Sequence, residues 1–192
     1  MIPVIHRLWI DLWTNDTAVV PGSQSRPCYP SLSMDIVDEL LERLEPQANR
    51  TVPGPPQLGV AILTCMDTRI DPARMFGLAP GDAHVLRNAG GVVTDDVLRS
   101  LLLSQRFLGS RAVMVVHHTK CGALNLSDDE VKAELQAEVG MRPSFSLEGF
   151  TDLDADVRQS MARIRACPWL PHRDSVRGFV LDVDDGRLRE VL

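Results

Sequence analysis

The 192-residue sequence lacks any apolar run near the ~20 residues that a membrane span requires. It also lacks a basic surplus. Twenty Lys and Arg stand against 26 Asp and Glu, and the net charge of −6 argues against nucleic acid or anionic membranes as partners. Aromatic residues are few, and Trp9, Trp13 and Trp169 are too scattered to make a recognition surface. No export signal is legible: Asp11 interrupts the apolar stretch "MIPVIHRLWIDLW", and no small-residue cleavage pattern follows, so a cytoplasmic location is expected. There the thiols of Cys28, Cys65, Cys121 and Cys167 stay reduced, and no C-x-x-C pair marks disulfide redox chemistry. Burial, metal binding or catalysis remain as their uses. There are no internal repeats.

The length suits one well-buried domain and is too short for two large ones. Residues 1–33, rich in Pro, Ser and Gly without a helical or strand period, read as a disordered extension. Residues 34–192 read as a single catalytic domain that opens with an amphipathic helix. In "MDIVDELLERLEP", Ile36, Val37, Leu40, Leu41 and Leu44 share one face, and Pro46 ends the helix. That face needs burial on the chain's own domain or on a partner subunit. From Leu58 strands alternate with helices. "LGVAIL", "AHVLRN" and "AVMVVHH" read as strands, and "RGFVLDV", "DDG" and "RLREVL" as a strand entering a hairpin. Helices are expected to start at the caps Asp71-Pro72, Thr94 and Ser127, and over "DADVRQSMARIRA". The pattern is that of an α/β fold, a central, mostly parallel sheet of about four to five strands flanked by helices.

Ligands of open parallel sheets bind beyond the carboxyl ends of the strands, and two strands here end in unusual groups. The first runs into Cys65-Met66-Asp67-Thr68-Arg69, the third into His117-His118-Thr119-Lys120-Cys121-Gly122. If the chain stays extended, Cys65, Asp67 and Arg69 point to one side. His118 and Cys121, separated by a turn, are close enough to grip one ion, while His117 points to the opposite face. Two thiolates, an imidazole and a carboxylate favour tetrahedral zinc over magnesium or calcium, which want oxygen. Each half alone is a weak signal; together they point to a metal, against the alternative of a buried cysteine pair beside a satisfied core histidine. Structural zinc is usually closed by four Cys or His ligands, whereas catalytic zinc keeps a position for water. Here the fourth group is Asp67, and Arg69 can hold its carboxylate bidentately and draw it off the metal. The arrangement suits a switchable fourth ligand.

These residues resemble the signature of the β-class carbonic anhydrases, through "CMDTR", "RNAGG" and "HTKCG" at the ends of successive strands. The resemblance extends from about Leu58 to the C-terminus, and the short loops are similar to the compact bacterial branch, which includes carbonyl sulfide hydrolases. It implies one zinc per subunit on Cys65, His118 and Cys121, with Asp67 taking the fourth position or pairing with Arg69. It also implies catalytic roles for Asp67 and Arg69, and a substrate pocket lined by Ala89 and Gly90. The implied reaction is the reversible hydration of carbon dioxide to bicarbonate and a proton. The implied assembly is a homodimer or higher homo-oligomer, with the N-terminal helix crossing to the partner.

Other residues carry plainer readings. Asn88 fixes a turn or lines the pocket, Thr94 to Asp96 cap a helix, His117 is buried and hydrogen-bonded, and Lys120 is a solvated rim charge. His84 is either a proton acceptor or an ordinary strand residue. Cys28 and Cys167 stay outside the site. Two further functions stand beside hydration: hydrolysis of carbonyl sulfide or carbon disulfide by the same metal chemistry, and a non-catalytic structural-zinc or bicarbonate-sensing module. The latter has no need of the Asp67–Arg69 pair.

Overall fold

The computed structural model describes residues 36–44 and 52–192. The expected extension over 1–33 lies outside the described residues, as do Cys28, Met34 and Pro46. The chain divides into two units, Met1–Arg50 and Thr51–Leu192. The first contains helix α1 (Ile36–Glu42). The apolar residues expected on its face, Ile36, Val37, Leu40, Leu41 and Leu44, are 52–66% exposed.

The second unit alternates β1 (Val60–Cys65), α2 (Pro72–Phe76), β2 (Ala83–Asn88), α3 (Asp95–Arg106), β3 (Ala112–His118), α4 (Asp128–Val139), α5 (Leu153–Ala166), β4 (Val176–Leu181) and β5 (Leu188–Val191). Asp71, Thr94 and Ser127 act as caps where the sequence places them, and Asp152 is a further one. Asp71 accepts from the Arg74 amide, Thr94 from Val97, Ser127 from Glu130 and Asp152 from Ala155, each satisfying an N–H that the first helical turn leaves without a partner. Strand β1 starts two residues later than "LGVAIL" suggests and continues to Cys65, because Gly59 at φ 63° breaks the extended backbone before Val60.

The sheet order is β2-β1-β3-β4-β5, parallel except for the hairpin strand β5. After β1 the chain crosses to one side for β2 and returns to the other side for β3. The carboxyl ends of β1 and β3 therefore flank the point where strand order reverses, the place where α/β sheets leave a crevice. Alternation along the strands builds two apolar layers. Ala61, Leu63, Val113 and Val115 face Val97 and Leu101 of α3 and Val157, Met161 and Ile164 of α5. Ile62 and Val116 lie in the opposite layer with Ile70, Phe150 and Leu181. Gly178 on β4 permits α5 to close in: a Cβ there would lie 2.4 Å from Val157 Cγ1.

Candidate functional site

At the crevice, β1 delivers Cys65 as its last residue and β3 delivers His118, with Cys121 on the loop that follows. One donor atom from each of these three buried residues lies within 4.8 Å of the others, and no other such group of His, Cys, Asp or Glu occurs among the described residues. The second ring nitrogen of His118 shows how the imidazole is set. Its Nδ1 lies 2.9 Å from the Thr119 carbonyl, an acceptor, so Nδ1 carries the proton and Nε2 keeps its lone pair. That Nε2 is buried and has no hydrogen-bond partner. A buried imidazole nitrogen beside two sulfurs, otherwise a costly orphan, fits a soft cation such as zinc.

The two sulfurs shift each other's pKa in opposite directions. A hydrogen bond from Cys121, aided against burial by His118, pulls Cys65 down to about 4, while acting as donor and being buried push Cys121 up. A metal held by both sulfurs would take them as thiolates.

Beyond Cys65 the chain does not stay extended as the sequence suggests. It turns, with the Ile70 amide donating to the Asp67 carbonyl at 3.0 Å and the Arg69 amide donating to Asp67 Oδ1 at 2.9 Å. This Asx-type turn, favoured by an aspartate at its first position, brings the Arg69 side chain back over the carboxylate. Arg69 Nε reaches Oδ1 at 2.9 Å and Nη2 reaches Oδ2 at 2.7 Å, a bidentate pair. Burial works to raise the Asp67 pKa, but the Arg69 guanidinium and amide hold the carboxyl below the usual range. Asp67 Oδ2 stands 3.9 Å from His118 Nε2, beyond hydrogen-bond reach. Of the two arrangements open to Asp67, the structure displays the pairing with Arg69.

Ala89 and Gly90 belong to a short 3₁₀ turn, Ala89–Gly91, that follows β2. Ala89 borders a cavity of about 490 Å³ walled in part by Asn88, Val92, Phe145 and Leu147. Gly90 is buried beneath, where a Cβ would lie 3.4 Å from Ala123. Asn88 closes the turn by donating to the Val92 carbonyl at 2.9 Å.

The sequence reading assigned Arg87 no role. Its guanidinium donates to the Cys65 carbonyl at 3.0 Å and the Asp67 carbonyl at 2.7 Å, pinning the end of β1 from the neighbouring strand. Arg87 stands opposite Thr64, one position before Asn88, the partner of Cys65, and its place in "RNAGG" is the signal the sequence offers. Lys120 is more engaged than a solvated rim charge: it pairs with Asp184 at 3.0 Å, and its carbonyl accepts from Arg69 at 3.0 Å. His84 lies away from the site, on Ser104, and Cys167 is buried among the α5 side chains.

A family model described as carbonic anhydrase matches residues 60–141. Beta-carbonic anhydrase 1 of Mycobacterium tuberculosis is 51% identical over 140 residues, covering 73% of this chain and 86% of that protein. A carbon disulfide hydrolase of an Acidianus species is 34% identical over 182 residues, with 81% of this chain and 89% of that protein covered. Among solved structures, a carbonic anhydrase from Streptococcus mutans superposes with a TM-score of 0.76 at 39% identity, across 84% of this chain and 100% of that one.

Proposed function

The chain belongs to the β-carbonic anhydrase family, and from that premise we propose that it catalyses CO2 + H2O ⇌ HCO3⁻ + H⁺ with one zinc ion per subunit. The observation that carries this reading is the buried Cys65–His118–Cys121 trio with an orphaned imidazole nitrogen, next to a carboxylate already occupied by arginine.

Cys65, His118 and Cys121 would hold the metal. When bound, zinc supplies the Lewis acidity that brings the ionisation of water toward pH ~7. Arg69 keeps Asp67 ionised and turned toward itself, which favours a fourth position open to solvent and substrate. An ionised Asp67 at the edge of that position accepts a proton-bearing oxygen's hydrogen bond and so fixes where its lone pairs point. Arg69 is anchored in turn by the Lys120 carbonyl. Ala89, which borders the cavity, would offer a small apolar wall suited to an uncharged linear substrate, and Gly90, buried beneath it, would let the turn pack there.

We read residues 34–192 as one catalytic domain and residues 1–33 as an extension to it. The protein is proposed to work in the cytoplasm as a homodimer or larger homo-oligomer; the exposed apolar side chains of α1 support a partner subunit. No described helix is long and apolar enough to cross a membrane.

Stopped-flow hydration of carbon dioxide near neutral pH, with zinc measured on the same sample, tests the assignment. Stoichiometric zinc without hydration activity would overturn it. Similarity to carbon disulfide hydrolases favours a second reading, hydrolysis of carbon disulfide or carbonyl sulfide. Hydrogen sulfide release from those substrates, at an efficiency well above that for carbon dioxide, would make it the primary one.

A further inference from the structure

His118 belongs to the donor trio, and His117, its neighbour on β3, faces the other way. It is fully buried, its ring stacked on Phe150 with centroids 5.9 Å apart. Its Nε2 lies 3.1 Å from the Gly91 carbonyl, and its Nδ1 lies 3.2 Å from Asp156 Oδ2, off-line for a regular hydrogen bond. Neither His117 Nδ1 nor Asp156 Oδ2 has a hydrogen-bond partner, so each is the other's nearest polar match.

Gly91 is the residue at which the 3₁₀ turn meets β1. A Cβ there would sit 2.8 Å from the Cys65 amide nitrogen and 2.9 Å from the Thr64 carbonyl carbon. Helix α5 supports the same segment a second time, through Ser160, whose buried hydroxyl accepts from the Val93 amide at 3.4 Å. A turn seated this closely on the backbone of Cys65 transmits any looseness directly to that strand end.

We propose that His117 and Asp156 are positioning residues that lock the Ala89–Gly91 turn against the end of β1, so that α5 sets the shape of the substrate pocket from behind. The inference rests on the carbon dioxide reading only for its kinetic consequence; the mechanical part is independent of it. The Gly91 carbonyl can only accept, so Nε2–H donates to it whether or not Nδ1 also carries a proton, and an asparagine at 156 offers Nδ1 both an acceptor and a donor.

The test compares Asp156→Ala with Asp156→Asn, and with Asp154→Ala as a control. Asp154 is on the same helical turn but pairs with Arg189 instead. Amide hydrogen exchange at Gly91 is measured on the metal-free protein, and hydration kinetics on the zinc-loaded protein. Asp156→Ala is expected to speed Gly91 exchange about tenfold and to raise KM for carbon dioxide by a similar factor with kcat and zinc content kept, the scale of one close buried polar contact. Asp156→Asn should restore both, and Asp154→Ala should change neither. Unchanged exchange in Asp156→Ala, or equal disturbance by all three variants, overturns the proposal. Wild-type protein that holds zinc without hydrating carbon dioxide would instead sink the functional reading, and the exchange data would still decide the positioning role.

Discussion

Arg69 donates to both carboxylate oxygens of Asp67, at 2.9 and 2.7 Å, and its backbone amide donates to Oδ1 at 2.9 Å. A carboxylate with three donors from one residue has little reason to leave it. On the proposed function, the pair would act as the lock that keeps Asp67 from the metal position.

Removing the carboxylate should separate metal binding from turnover. Asp67→Ala is expected to keep stoichiometric zinc while hydration falls about 100-fold, the scale of a positioned acid–base group. Arg69→Lys should also fall, since an ammonium cannot hold both oxygens at once. Zinc analysis beside stopped-flow rates checks both, and full activity in Asp67→Ala would remove the pair from the mechanism.

Replacing a sulfur should act on the metal alone. Cys121→Ser is expected to lose zinc affinity by more than the ~10–100-fold that outer partners contribute. Its far-UV circular dichroism should stay native, because Leu63, Val115, Leu101 and Ile164 form a core in the other layer. Chelating zinc from the wild-type protein should lower its melting temperature without unfolding it at room temperature. Calorimetry and metal titration measure both effects.

Gly91 tolerates no side chain. Gly91→Ala places a methyl against the backbone of Thr64 and Cys65, at a φ of 71° that disfavours any Cβ. Urea unfolding should show a loss of about 1–3 kcal/mol. Zinc affinity should drop as well, since Cys65 must move.

Asp128 ties α4 to the cavity wall. Its carboxylate accepts from the Leu147 amide at 2.7 Å, the Ser146 hydroxyl at 3.1 Å and the Gly149 amide at 3.3 Å. Burial works to raise its pKa, but these donors hold it below the usual range. A carboxyl depressed on folding stabilises fully above its unfolded pKa of ~3.9, and the gain is lost as pH falls through the folded value. Asp128→Ala should therefore cost about 2 kcal/mol at neutral pH, and the gap to wild type should close in acid below pH ~4. Urea titrations of both proteins along a pH series test the sign; a gap that persists in strong acid would contradict it.

Much of this molecule is legible without coordinates because the relevant forces act over a few residues. Side-chain caps at Asp71, Thr94 and Ser127 satisfy amides three positions on, and the runs read as β2 and β3 match the strands to the residue. His117 and His118 are assigned to opposite faces by the alternation of a strand alone. The turn after Cys65 was missed because extended geometry was carried past the last strand residue. There Asp67 captures the amide two positions on, and the chain folds back.

Which residue types stand at the ends of β1 and β3, and so the kind of ion and chemistry they suit, can be read along the chain. Only the tertiary structure decided that those ends are neighbours, through a strand order that returns β3 to the side of β1 away from β2. It also decided that Arg87 grips the carbonyls of Cys65 and Asp67, and that Asp156, far along the chain, stands behind His117. The physical reason is range. Caps and periodicity depend on near neighbours in the chain, whereas these contacts depend on register between strands and on how closely α5 packs, which no local pattern encodes.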